Sequence, residues 1–158
     1  MVKTAMFDTN IYGNLEEIRS SSKRGRAEIL RSQVEKGEIE VISCEPIIEE
    51  IRGLKRKGVD YKKVLDHHKK IAKRKLCYTD NVLKIAKEYE KLGLEAGDSV
   101  ILAFAVIGGV DFLITENRQS MTKRGNTLKK IEQLNSQKGL KTPEVIPPLD
   151  FLKRYVFY

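Results

Sequence analysis

Residues 1–14 read MVKTAMFDTNIYGN, and the order of residue types in this stretch decides the fold. Val2 to Phe7 is a short, mostly apolar run of the kind that forms a buried strand in a parallel sheet. Asp8, Thr9 and Asn10 follow at once. Ile11, Leu15 and Ile18 then recur at helical spacing, which predicts a helix from Ile11. A core strand that passes into a helix through a carboxylate and an amide is the opening half of a βα unit. It also raises a question of chemistry, namely whether other acids gather at the same strand end.

The same alternation continues along the chain. IEVIS (39–43) reads as a second strand, DFLIT (111–115) as a third and EVI (144–146) as a fourth, stopped by Pro147 and Pro148. Between them, Ser20 to Ser22 mark a break, and a helix around Ala27 to Lys36 ends at Gly37. Pro46 suits the first turn of a helix carrying IIEEIRGL. Lysine-rich amphipathic helices fill Tyr61 to Leu92. An apolar helix spans Asp98 to Ile107, and helical spacing returns from Asn126 to Gln137, before LDFLKRY forms a terminal helix. Strands separated by helices predict one α/β domain over residues 1–158, a central parallel sheet flanked by helices in three layers.

Composition narrows the class. With 41% hydrophobic and 33% charged residues the chain is expected to be globular rather than disordered. A net charge of +8 favours a polyanionic partner such as nucleic acid. Cys44 and Cys77 lack metal spacing and suggest no disulfide framework, so a cytoplasmic location is expected. The most apolar window, VILAFAVIGGVDFLI, is broken by Gly108, Gly109 and Asp111, and no membrane association is expected.

Each acid near a predicted strand end has two readings. Asp8 or Asn10 could cap the first helix. At about 100° per residue, Glu50 falls at the edge of the Ile47, Ile51 and Leu54 stripe and is expected to be shielded from solvent, while Glu49 points well away from it and is expected to be solvated. A carboxylate bordering a core-facing stripe needs a partner, which is either a basic side chain or a cation. Asp98 could serve the amides at the start of its helix, yet it also shares a face with Ile101, Leu102 and Ala105. Thr115, Glu116 and Asn117 follow the third strand, where loop polarity alone would account for them. Asp111 lies at the other end of that strand and reads as structural. Clustered acids repel one another, and a divalent ion relieves that repulsion. Oxygen-only donors point to Mg²⁺ or Mn²⁺ rather than zinc.

These residues resemble a known family. FDTNIY, IIEEIRGL, GDSVILAFAVIGGVDFLITEN and VIPPLDFL fall in the order seen in PIN-domain ribonucleases, most like the small VapC-type toxins of prokaryotic toxin–antitoxin pairs. The resemblance implies a PIN-like fold and a divalent-metal endoribonuclease yielding 5′-phosphate and 3′-hydroxyl ends. It also implies a homodimer and a small antitoxin partner. Carried over by position, it implies Asp8, Glu50 and Asp98 as Mg²⁺- or Mn²⁺-binding carboxylates. Asn10 would orient the Asp8 side chain or a water, and Thr115 would support the loop. The fourth acidic position of the family falls on Asn117, a neutral oxygen, with Glu116 as the alternative.

RNA would meet the basic stretch from Lys55 to Lys75. Lys55, Arg56, Lys57, Lys73, Arg74 and Lys75 are candidate phosphate contacts, and Lys123 and Arg124 would extend the track. A solvated helix face explains the same charges without RNA. Tyr61 and Tyr78 could stack on bases or pack on the core. His67 and His68, adjacent on a helix, are expected to be solvated or hydrogen-bonded rather than metal ligands. Two other functions compete. One is a catalytically weak RNA- or protein-binding module. The other is a haloacid-dehalogenase-type phosphatase, whose usual second acid would have to stand where Asn10 does.

Overall fold

The computed structural model describes residues 1–117 and 126–157. Lys123 and Arg124 lie outside the described residues. The chain forms β1 (Lys3–Phe7), α1 (Thr9–Asn14), α2 (Ser21–Glu35), β2 (Ile39–Cys44) and α3 (Glu45–Gly53), followed by a 3₁₀ turn (Leu54–Lys57). Then come α4 (Tyr61–Ile71), β3 (Ala72–Leu76), α5 (Asp80–Lys91), α6 (Ala96–Ile107) and β4 (Phe112–Ile114). The remaining elements are α7 (Thr127–Gln137), β5 (Glu144–Ile146) and α8 (Pro148–Tyr155).

All the strand pairs are parallel, in the order β3-β2-β1-β4-β5. β1 is central because its residues can be buried on both faces: Ala5, Met6 and Phe7 are fully shielded. It pairs with β2 (Ala5 opposite Val41) and with β4 (Phe7 opposite Ile114). The chain steps outward from β1 to β2 and β3, then returns to the other side of β1 to lay down β4 and β5. Strand order therefore reverses at β1, and in such sheets a crevice opens beyond the carboxyl ends at the reversal. Backbone bonds continue past the strands there. Asp8 N–H donates to the Ile114 carbonyl at 3.0 Å and Thr115 N–H to that of Ile146 at 3.1 Å.

The most apolar helix, α6, buries Ile101 through Val106, packs on α5 and touches α3 and β4. Each large apolar side chain so buried is worth roughly 1.5–3 kcal/mol. Gly109, at φ 65°, makes the left-handed turn from α6 toward β4 that a side-chain-bearing residue would resist.

Several expectations need correction. The sheet has a fifth strand, β3, where lysine-rich helix was expected throughout. AKRKL lacks apolar alternation because β3 is an edge strand: Lys73, Arg74 and Lys75 are exposed, and charged side chains keep such edges from pairing further. It is continuous with α4, so no loop signal separates the two. α2 begins at Ser21, well before Ala27, since the Ser20 hydroxyl caps it by accepting from Lys23 N–H at 3.3 Å. The serines are thus both a break and a helix start. Ile18 is 89% exposed because α1 stops at Asn14. α6 starts at Ala96 with Glu95 at its cap position, which leaves Asp98 in the first turn.

Asp111 sits at the opposite sheet end from Asp8, as expected. It accepts from Thr4 N–H and Oγ1 at 3.1 and 3.0 Å and pairs with Lys141. The Lys141 contact leads in holding its carboxyl below the usual range.

Candidate metal and RNA site

At the carboxyl end of β1 lies an open cleft of about 690 Å³. Asp8, Asn10, Glu50, Asp98 and Asn117 all line it, delivered by four separate segments of chain. Asp8 is 6% exposed at the mouth of the central strand. Its Oδ1 accepts from Thr9 N–H at 2.8 Å and its Oδ2 from the Thr115 hydroxyl at 2.7 Å. The capping reading of Asp8 thus holds in part, because the same carboxylate both meets the start of α1 and lines the cleft.

Thr9 was not weighed in the sequence, and it joins two of the acids. Its N–H serves Asp8 while its hydroxyl donates to Glu50 Oε2 at 2.9 Å. No sequence signal sets this threonine apart, since the contact needs α3 to lie across α1. Glu50 was expected to be shielded from solvent; instead it is exposed on the cleft side, and no Lys or Arg pairs with it among the described residues. Glu49 is exposed, as expected, and accepts a long bond from the Tyr78 hydroxyl at 3.5 Å.

The electrostatics show the acids sensing one another. Burial pushes the Asp8 carboxyl above its ordinary range, opposed by the bonds from Thr115 and Thr9. Glu50 is also raised, chiefly by desolvation against the cleft wall. The Thr9 bond opposes that rise, and the charges of Asp8, Asp98 and Glu49 add to it. Lys57 is the one lysine or arginine among the described residues lining the cleft. Such a site is short of positive charge, and all its donors are oxygens, which fits a hard divalent cation. Among the described residues no three His, Cys, Asp or Glu side chains close on a single point. Mg²⁺ commonly binds through one or two carboxylates and retains several waters, so an open arrangement of this kind is compatible with it.

The loop after β4 is pinned from three directions. Thr115 is fully buried; its Oγ1 accepts from Asn117 N–H at 3.0 Å and lies 3.4 Å from Asn10 Nδ2. Asn10 Oδ1 accepts from Glu116 N–H at 3.3 Å. Glu116 does not line the cleft, because its Oε2 is held by Arg26 Nη2 at 2.9 Å. Of the two fourth-position candidates, only Asn117 faces the cleft. Arg26 also escaped the sequence reading, for it lies far away in sequence on α2. Glu17 and Glu95 are further acids of the cleft wall that periodicity did not single out.

The basic candidates divide. Lys55, Arg56 and Lys57 form the exposed 3₁₀ turn beside the cleft, whereas Lys73, Arg74 and Lys75 stand on the edge strand β3. Lys73 is engaged with Glu40 at 3.4 Å. Tyr78 is partly exposed and packs edge-on against Phe104, and Tyr61 packs on the core. His67 meets Glu16 at 3.3 Å. His68 is buried against Ser43 Oγ at 2.7 Å, and desolvation, aided by Lys75, lowers it to about 4. Cys44 and Cys77 are both free thiols. No helix among the described residues is long and apolar enough to cross a membrane.

A parallel sheet with carboxylates gathered beyond its central strand is the architecture of the class resembled above. The chain belongs to the PIN-domain family, whose model matches residues 4–119. That membership sets aside the haloacid-dehalogenase reading, as does Asn10, which is an amide tied into the loop rather than an acid. Among solved structures, the fold is similar to VapBC2 from Rickettsia felis, bound to a DNA fragment from its promoter. The TM-score is 0.54 at 17% identity, over 78% of this chain and 94% of that one. It is also similar to Mycobacterium tuberculosis VapC20, a sarcin–ricin loop cleaving toxin, with a TM-score of 0.55 at 14% identity over 69% of this chain and 86% of that one. A comparison with curated protein sequences found no match.

Proposed function

We propose that this chain is a divalent-metal-dependent endoribonuclease of the VapC kind. The observation that carries the reading is the convergence of Asp8, Glu50 and Asp98 on one cleft, with Thr9 and Thr115 donating to the first two. In this reading those three carboxylates would hold Mg²⁺ or Mn²⁺, directly or through its retained waters, and Asn117 would supply a neutral fourth oxygen. A bound ion of this type supplies an activated water and neutralises charge on the phosphate.

The chain's own groups have separable tasks. Thr115 and Thr9 fix the Asp8 carboxylate in place and favour its ionised form against the burial that opposes it. Asn10 ties α1 to the loop after β4, so that Asp8 and Asn117 keep a common frame. Lys57 and its neighbours Lys55 and Arg56 attract the RNA backbone to the cleft edge. Hydrolysis adds water across a P–O3′ bond, leaving a 5′-phosphate on one fragment and a 3′-hydroxyl on the other. A cytoplasmic location, a homodimer and a small antitoxin partner belong to the same reading, supported by the likeness to VapC toxins.

The neutral Asn117 favours a second reading, an RNA-binding module with little catalysis, because an amide oxygen holds a cation less tightly than a carboxylate. One assay separates the two. Purified protein is incubated with end-labelled single-stranded and hairpin RNAs in Mg²⁺, Mn²⁺ or EDTA, beside Asp8→Asn. Cleavage that needs metal and vanishes in the variant is expected. Tight binding with no cleavage in any metal would transfer the assignment to the binding module.

A further inference from the structure

On the side of α3 away from Glu50 lies a second depression, of about 350 Å³, between α3, α4 and β3. Its floor is apolar, formed by Ile48, Leu65 and Ala72, all half-buried. Four exposed cations stand around it: Arg52, Lys69, Arg74 and Lys75. None of them forms an ion pair among the described residues, whereas the adjacent Lys73 is paired with Glu40. Among the described residues no carboxylate lines the groove. His68 in its wall is buried against Ser43 Oγ at 2.7 Å, and burial, aided by Lys75, lowers its pKa to about 4, so it adds no charge to the rim at neutral pH. Uncompensated like charges around one depression favour an anionic occupant.

The groove and the cleft lie against the same helix, α3. Ile48 and Arg52 are one turn apart on one side of α3, and Glu50 is about half a turn from Ile48. α3 is therefore a ridge with the cleft on one flank and the groove on the other, roughly 10–12 Å across with its side chains. Past the end of α3, the exposed turn adds Lys55, Arg56 and Lys57, and Lys57 lines the cleft. An acidic polypeptide would suit the charge of the rim alone. Cations on the groove rim and again in the turn that meets the carboxylate cleft suit a polymer whose phosphates repeat along its length.

We propose that this groove binds single-stranded RNA flanking the phosphate held in the cleft. Phosphates lie on Arg52, Lys69, Arg74 and Lys75, and a ribose or base face rests on the apolar floor. The link to the cleft rests on the nuclease reading, so the test measures binding rather than cleavage. Fluorescence anisotropy in EDTA follows the full chain binding a labelled single-stranded RNA of about a dozen nucleotides, across a range of salt. Replacing all four rim cations by glutamine is expected to weaken binding at least about tenfold and to flatten the salt slope by about three. Replacing Lys84, Lys87, Lys91 and Lys130 by glutamine removes the same charge from α5 and α7 and is expected to stay within about twofold of the parent. If the quadruple groove variant does not fold, Arg52→Gln and Lys69→Gln, on opposite walls, are expected to share the loss. Equal losses in the groove and control variants would overturn the proposal. So would a groove variant that loses polyglutamate binding but keeps RNA binding, which would give the groove to an acidic protein. Groove-dependent binding in a protein that cuts no RNA in any metal would support the groove while removing the nuclease.

Discussion

The ion pair between Arg26 and Glu116 ties a distant helix to the loop that frames the cleft, and its contribution can be worked from its surroundings. The two side chains are 22% and 15% exposed, with 2.9 Å between Nη2 and Oε2. Fully exposed pairs are worth about 0.2–1 kcal/mol, whereas breaking a buried pair costs about 3–5 kcal/mol. A pair so placed falls between, so each single neutralisation is expected to cost roughly 1–2 kcal/mol, with a coupling near 1 kcal/mol. The losses should be unequal. Arg26 Nε is buried with no hydrogen-bond partner, so Glu116→Gln leaves a poorly solvated guanidinium behind. Arg26→Gln removes that group and should cost less. The assay is a double-mutant cycle in urea over the parent, Arg26→Gln, Glu116→Gln and the double variant. Cleavage is measured on the same four proteins, since Glu116 lies between Thr115 and Asn117 and its N–H donates to Asn10. The double variant is expected to be no less stable than Glu116→Gln alone. Strictly additive losses, or cleavage unchanged by Glu116→Gln, would refute the view that this pair positions the loop.

Three further outcomes are expected. Thr115→Val removes the hydroxyl that donates to Asp8 and should weaken Mn²⁺ binding about 10–100-fold by calorimetry, while circular dichroism stays near that of the parent. Metal-free protein should lose stability as pH rises from about 4 through the raised pKa values of Asp8 and Glu50. The folded state holds those protons to a higher pH than the unfolded chain, so the stabilisation is present below the unfolded pKa and lost above the folded one. Asp8→Asn should flatten that decline in urea melts taken between acid and neutral pH, and it should also raise metal-free stability at neutral pH. Added Mn²⁺ should raise the melting temperature of the parent and leave that of Asp8→Asn nearly unmoved, because only a folded, charged site gains from the ion.

Much of this protein is determined locally. Apolar runs of strand length bounded by polar residues identify β1, β2, β4 and β5, because burial on both faces of a parallel sheet demands such runs. Asp8, Thr115 and Asn117 are legible as strand-end residues for the same reason. Asp98 and Glu50 show themselves through helical rotation, as carboxylates bordering apolar stripes. β3 was not legible, since an edge strand has little burial to impose a pattern and its cations resemble a solvated helix face. Thr9, Arg26 and Glu95 acquire their places only through tertiary structure. The Thr9 hydroxyl finds Glu50 because α3 crosses α1, and Arg26 meets Glu116 across ninety positions of sequence. A side chain's periodicity records which face of its own element is dry. It carries no record of which element packs against that face, and the partners of Asp8, Glu50 and Glu116 are set by that packing.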